Sequence, residues 1–177
     1  MLTKLRSSAP VRTGRDVVDL LLECHARIRR FLGMARHLAD AEAVADREAS
    51  EAAAAIGRYF EVALPLHTTD EDESIAPRLR GREATVDAAL DTMTSEHRDH
   101  QPALAQLASL CRRIVATPAE RPGLRAKLTT VVAELEHAFE AHLAREEAVI
   151  FPAIRATLSP VEQADILTEL RARRGTK

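Results

Sequence analysis

The chain has 177 residues, 46% hydrophobic and 29% charged, with a formal net charge of −2. That length holds one domain with a sizeable core, and the composition excludes a disordered chain. The near-neutral charge balance gives no reason to expect nucleic acid or an anionic membrane as partner.

Only 3% of the residues are aromatic and Trp is absent, while Ala, Leu, Glu and Arg dominate. These residues lose little side-chain freedom in a helical turn, so the mixture favours helices. No apolar run reaches the ~20 residues needed to cross a bilayer. Cys24 and Cys111 form no CxxC unit, and two distant thiols in such a chain fit a reducing cytoplasm.

Residues 1–14 are basic and without acids; they read as a flexible tail, a transit-type address being the alternative. The first helix is expected from the N-cap Asp16 through VVDLLLECHARIRRFLGMARHL, with Val17, Leu20, Leu21, Cys24, Ile28 and Leu32 on its apolar face. A polar link around DAEAVADREAS leads into the second, EAAAAIGRYFEVALPLHTTDEDESIAPRL, which Gly81 closes. The third covers VDAALDTMTSEHRDHQPALAQLASLCRRIV and stops before TPAERPG. The fourth is LRAKLTTVVAELEHAFEAHLAREEAVIFPAIRATL. Ser159, Pro160 and Glu162 then spell a capping box that opens a short fifth helix, either capping the bundle or mediating a dimer.

The fold expected is all-α: an up-down antiparallel four-helix bundle over residues 15–157, with a short C-terminal helix and tail over 158–177. Pro65 and Pro102 should each remove a backbone hydrogen bond and kink a helix, while Pro77 and Pro152 fall near helix ends.

Two stretches read almost alike: HTTDEDESIAPRLR from His67 and HLAREEAVIFPAIR from His142. Each sets a His four residues before a Glu, and residues four apart share a helix face. Phe60 and Leu64 before the first pair answer Leu135 and Phe139 before the second, so both pairs lie on the apolar stripe. A weaker repeat links the other two helices, through LLECH ending at His25 and TSEH ending at His97. Four successive helices thus bring His25, then His67 with Glu71, then His97, then His142 with Glu146. Burying so many polar groups without partners is very costly. A pair of divalent ions resolves the cost, with carboxylates from two helices bridging and two imidazoles for each ion. The donor set suits iron, and less exclusively manganese or zinc.

This arrangement resembles the hemerythrin-like family, or HHE cation-binding domain, over about residues 16 to 157. The resemblance implies an up-down four-helix bundle around two iron ions in a non-haem, oxo- or hydroxo-bridged centre. By position it implies His25, His67, His97 and His142 as terminal ligands and Glu71 and Glu146 as bridging carboxylates. Both pairs carry the family's apolar-x-Pro tail, clearest in EEAVIFP. Oxygen-carrying hemerythrins use a fifth His one turn after the third-helix ligand; here that position is Gln101, and His100 offers a substitute. The pattern is closer to the branch with four His and two Glu, which includes repair-of-iron-centre proteins.

In the second helix Asp70, Asp72 and Glu73 offer competing carboxylates, with Glu71 best placed by spacing. His37 and His137 read as surface or hydrogen-bonded core residues, His137 more as a surface or boundary one, Cys24 as a buried structural thiol, Tyr59 as packing, and Glu147 as part of a solvated face. The ligand expected is a small diatomic molecule, oxygen or nitric oxide, or a peroxide, with no nucleic acid or membrane partner. A binding or sensing protein in the cytoplasm is preferred, since nitrogen-rich ligands favour reversible redox chemistry. The alternatives are a di-iron enzyme acting on peroxide or oxygen, and an iron donor for damaged iron centres.

Overall fold

Asp16 starts the first helix as its spacing requires: its side chain accepts from the Asp19 N–H at 2.8 Å, and Asp19 accepts from the Asp16 N–H at 3.0 Å. The computed structural model describes residues 15–175, so the tail expected over 1–14 lies outside the described residues. Those described residues are helical, without strands, and fall into five runs. Helix α1 (Val17–Asp40) is the first run. The second joins α2 (Asp46–Arg58), α3 (Leu64–Thr69) and α4 (Ala76–Leu79) through two wide π turns, Tyr59–Ala63 and Asp70–Ile75. The third is α5 (Ala84–Asp99) and α6 (Gln101–Ala116). The fourth joins α7 (Arg121–Arg145) to α8 (Phe151–Thr157) through the π turn Glu146–Ile150, and α9 (Pro160–Arg173) is the fifth.

Two boundaries differ from expectation. The polar link is shorter than its composition implies, because Asp46 and Glu48 in the first turn of α2 favour a helix N-terminus. The TPAERPG break shrinks to Thr117 and one 3-10 turn, Pro118–Glu120; Pro122 sits in the first turn of α7, where its missing N–H costs nothing. The Gly81 cap is present, with φ +80°.

The prolines act differently from simple kinks. Each π turn ends two residues before a proline, at Pro65, Pro77 and Pro152. A proline ring needs room at the carbonyl four residues back and cannot donate to it, and a wider turn accommodates both demands. Thus Leu64 N–H reaches back to Tyr59 O, Ala76 N–H to Glu71 O and Phe151 N–H to Glu146 O. At Pro102 the helix breaks instead, at His100.

Helix α1 packs against α2 and α7, and α6 packs against the same two. A Cβ at Gly57 would lie 3.4 Å from the Cys111 Cβ, at van der Waals contact, so α2 and α6 approach closely there. The core is divided into two apolar clusters. One gathers Ile28, Leu32, Leu64, Leu104, Leu135, Phe139 and Leu143 among others; the second gathers Leu21, Ile75, Leu79, Met93, Ile150 and Ile154. Every one of the first four runs crosses from one cluster to the other, in alternating order along the chain, and each crossing is marked by a buried His.

The fifth helix folds back onto its own chain. Ile166 and Leu170 enter the second cluster, Arg173 and Arg174 reach Asp70 at 2.9 and 2.5 Å, and Arg78 grips Glu169 at 2.7 Å. Because Ile166 is fully buried, Ile166→Ala is expected to lower the unfolding free energy by about 2–5 kcal/mol. Urea denaturation checks this; a loss below about 0.5 kcal/mol, normal for a surface site, would contradict the docking of α9.

Candidate metal centre

Between the two apolar clusters the four crossings place His25, His67, Glu71, His97, His142 and Glu146 together, all buried. Their donor atoms fall into two groups, His25, His67, Glu71 and Glu146, and Glu71, His97, His142 and Glu146; within each, all lie within 4.8 Å of one another. Each carboxylate turns one oxygen to each group. Glu71 Oε1 is 3.3 Å from His67 Nε2 while its Oε2 is 3.4 Å from His97 Nε2. Glu146 Oε2 is 3.0 Å from His25 Nε2 while its Oε1 is 3.1 Å from His142 Nε2.

These spacings fit a cation better than hydrogen bonds. Both oxygens of Glu71, both of Glu146, His25 Nε2 and both nitrogens of His67 are buried without a hydrogen-bond partner. Orphaned polar atoms on this scale are rare in native interiors and point to an ion. Two donors held ~2.1 Å from one ion at a right angle are ~3.0 Å apart, close to the N···O distances found here.

Three of the imidazoles are oriented by acids behind them. His25 Nδ1–H donates to Glu147 at 2.8 Å, and Arg29 holds the same carboxylate oxygen at 2.8 Å. His97 Nδ1–H donates to Asp72 at 3.1 Å. His142 Nδ1–H donates to Glu96 at 2.9 Å, with Arg145 on Glu96 at 2.7 Å. A carboxylate accepts only from a protonated nitrogen, so these contacts fix the hydrogen on Nδ1 and, in the neutral ring, turn the Nε2 lone pair to the centre, as a metal ligand requires.

Glu147, Asp72 and Glu96 are the residues that the sequence reading missed. The sequence pattern places Glu147 on a solvated face and Asp72 among competing ligands; in the structure neither belongs to the two donor groups, and each instead orients a ring. The signal was present in the repeat, since Asp72 follows Glu71 as Glu147 follows Glu146. Asp70 is fully buried but belongs to Arg173 and Arg174, and Glu73 is exposed. His100 is buried outside both donor groups, its ring edge-on to His142 and tilted against Phe139. His37 and His137 are exposed. Tyr59 stacks on Phe31 at 4.1 Å, a packing role. Cys24 and Cys111 are free thiols, and Cys24, only partly buried, lines a cavity of about 310 Å³ beneath α9.

Without a cation the acids resist ionising. Burial, and for Glu71 the neighbouring charge of Glu146, pushes Glu71 and Glu146 up to about 8. Burial lowers His97, but Asp72 and Glu71 outweigh it and carry it up to about 10. Burial takes His142 down to about 4 and His67 well below its ordinary value. Between pH 6.5 and 8 the folded, metal-free protein therefore keeps protons on Glu71, Glu146 and His97 that the unfolded chain has lost, and stability falls as pH rises. The lowered histidines act in the opposite sense, but below pH 6.5. Chelator-treated protein should lose melting temperature from pH 6.5 to 8, and metal-loaded protein should not, because the cation replaces the protons. A flat profile for the chelated protein would contradict this electrostatic picture.

The comparison with known families agrees with this geometry. A family model described as "Hemerythrin HHE cation binding domain" matches residues 16–154, and a second match covers 98–171. No curated protein matches the chain. With most of its length matched and two His/Glu groups able to hold metal at its centre, the chain belongs to the hemerythrin HHE cation-binding domain family.

Proposed function

We propose that the chain is an up-down antiparallel four-helix bundle over residues 15–157, with α9 as a short fifth helix, and that it holds two iron ions. His25 and His67 would hold one ion and His97 and His142 the other, with Glu71 and Glu146 shared between the two. The observation that carries this reading is the pair of buried donor groups sharing both carboxylates. Imidazole and carboxylate donors together suit iron. Held in such a shell, iron would supply reversible redox chemistry. The function that follows is binding or sensing of oxygen, nitric oxide or a related small oxidant in the cytoplasm.

The chain's own residues favour binding over catalysis. The acids nearest the donors are committed as hydrogen-bond acceptors: Glu147 to His25, Asp72 to His97, Glu96 to His142. Phe151 closes over His25, with ring centroids 4.8 Å apart, and Phe139 stands 6.0 Å from His142. Apolar rings at these positions exclude water and offer no proton to a bound oxidant. Among the described residues no helix is long and apolar enough to cross a membrane.

Reconstitution with ferrous iron under anaerobic conditions is expected to give about two ions per chain. Added oxygen or nitric oxide should then produce a reversible charge-transfer band in the visible spectrum. Metal bound without any reversible adduct would overturn the binding function. Sustained oxygen release from peroxide, lost in His142→Ala, would establish the catalase-like alternative instead. Glu71→Ala and Glu146→Ala should each lose metal and forfeit the melting-temperature gain that iron confers on the wild type.

A further inference from the structure

His67 is the exception among the four imidazoles. It is buried, and its Nδ1 has no hydrogen-bond partner, whereas His25, His97 and His142 each have an acid at that atom. The internal repeat shows why. In the second half the acid behind His142 is Glu96, the residue before His97, backed by Arg145, three residues after His142. In the first half the residue before His25 is Cys24, and the residue three after His67 is Asp70. Cys24 lines the cavity beneath α9 together with Asp70 and Arg174, and Asp70 is drawn to Arg173 and Arg174. In the first half a thiol stands where the second half has an acid, and an acid held elsewhere stands where it has an arginine.

We propose that the two metal positions are unequal: the ion held by His97 and His142 binds first and tightly, and the ion held by His25 and His67 is the exchangeable one. The inference rests on the two-metal reading above. Its physical cause is the proton on His67. A neutral imidazole that ligates through Nε2 must carry its hydrogen on Nδ1, and at His67 that N–H is buried and faces no acceptor among the described residues. The desolvation cost of the stranded donor falls on this position alone. The ring also lacks the carboxylate that would fix its orientation and raise its basicity. Loss of such a partner typically weakens metal affinity by about 10–100-fold.

The test is anaerobic competition of ferrous-loaded protein against a graded chelator, with bound metal counted by elemental analysis. Repulsion between two cations staggers release even from equal positions, so the assignment is read from variants. His67→Ala should keep one ion with the affinity of the wild type's tighter position. His142→Ala should keep one ion bound about 10–100-fold more weakly. Cys24→Glu, placing an acid where the second half has one, should slow chelator removal of the exchangeable ion. Glu96→Gln should weaken the tight ion towards the exchangeable one, and circular dichroism establishes that each variant folds.

Equal affinities in the two His variants, or a Glu96→Gln protein that keeps its tight ion unchanged, would overturn the proposal while leaving the two-metal reading intact. A wild type that takes up only one ion, or none, would overturn the two-metal reading itself.

Discussion

Two carboxylates buried among four imidazoles, with no hydrogen bonds to satisfy them, are the constraint around which this chain is organised. An apolar interior tolerates such a layer only if its charge is compensated. Protons do this partially, which is why Glu71 and Glu146 hold theirs up to about 8. Cations do it more completely, because they accept every lone pair that the layer directs inward. The division of the core into two apolar clusters follows from the same layer, since each of the first four helical runs must interrupt its greasy stripe at one height.

Backbone and side chains cooperate at that height. The π turns Asp70–Ile75 and Glu146–Ile150 contain Glu71 and Glu146 and end two residues before Pro77 and Pro152. The widened turn spends an additional residue where the chain leaves the polar layer for the second apolar cluster. The apolar-x-Pro ending of each repeat is therefore part of how the carboxylates are presented. The arginines of α9 add a further restraint by gripping Asp70 at 2.9 and 2.5 Å, beside Glu71.

Much of this was legible in the sequence, because helical periodicity and a duplicated motif are strong signals. The runs, the Asp16 and Ser159 capping boxes and the Gly81 cap all follow from local rules. So does the convergence of the six polar residues on one layer. What stayed hidden depended on tertiary contacts. The pairing of Glu147 with His25 spans most of the chain, and no local rule distinguishes such an acid from a solvated one. The widened turns were hidden for another reason: a proline in a helical pattern signals a lost hydrogen bond, but whether the chain breaks, as at His100, or expands, as before Pro152, depends on what must be packed on either side.

Two of the three orienting acids cross between the two halves of the chain, Glu96 and His142 both belonging to the second. Asp72, from the first, holds His97 of the second, and Glu147, from the second, holds His25 of the first. Neither half possesses both a ring and the acid that follows its own Glu in a usable pairing, so a half-length chain would carry an incomplete shell. Two copies related by a twofold axis would complete it, each lending its acid to the other, as in any isologous interface. The present chain has the form of such a dimer joined end to end, and in one continuous chain the two halves need not match: Cys24 and Asp70 stand in the first where Glu96 and Arg145 stand in the second.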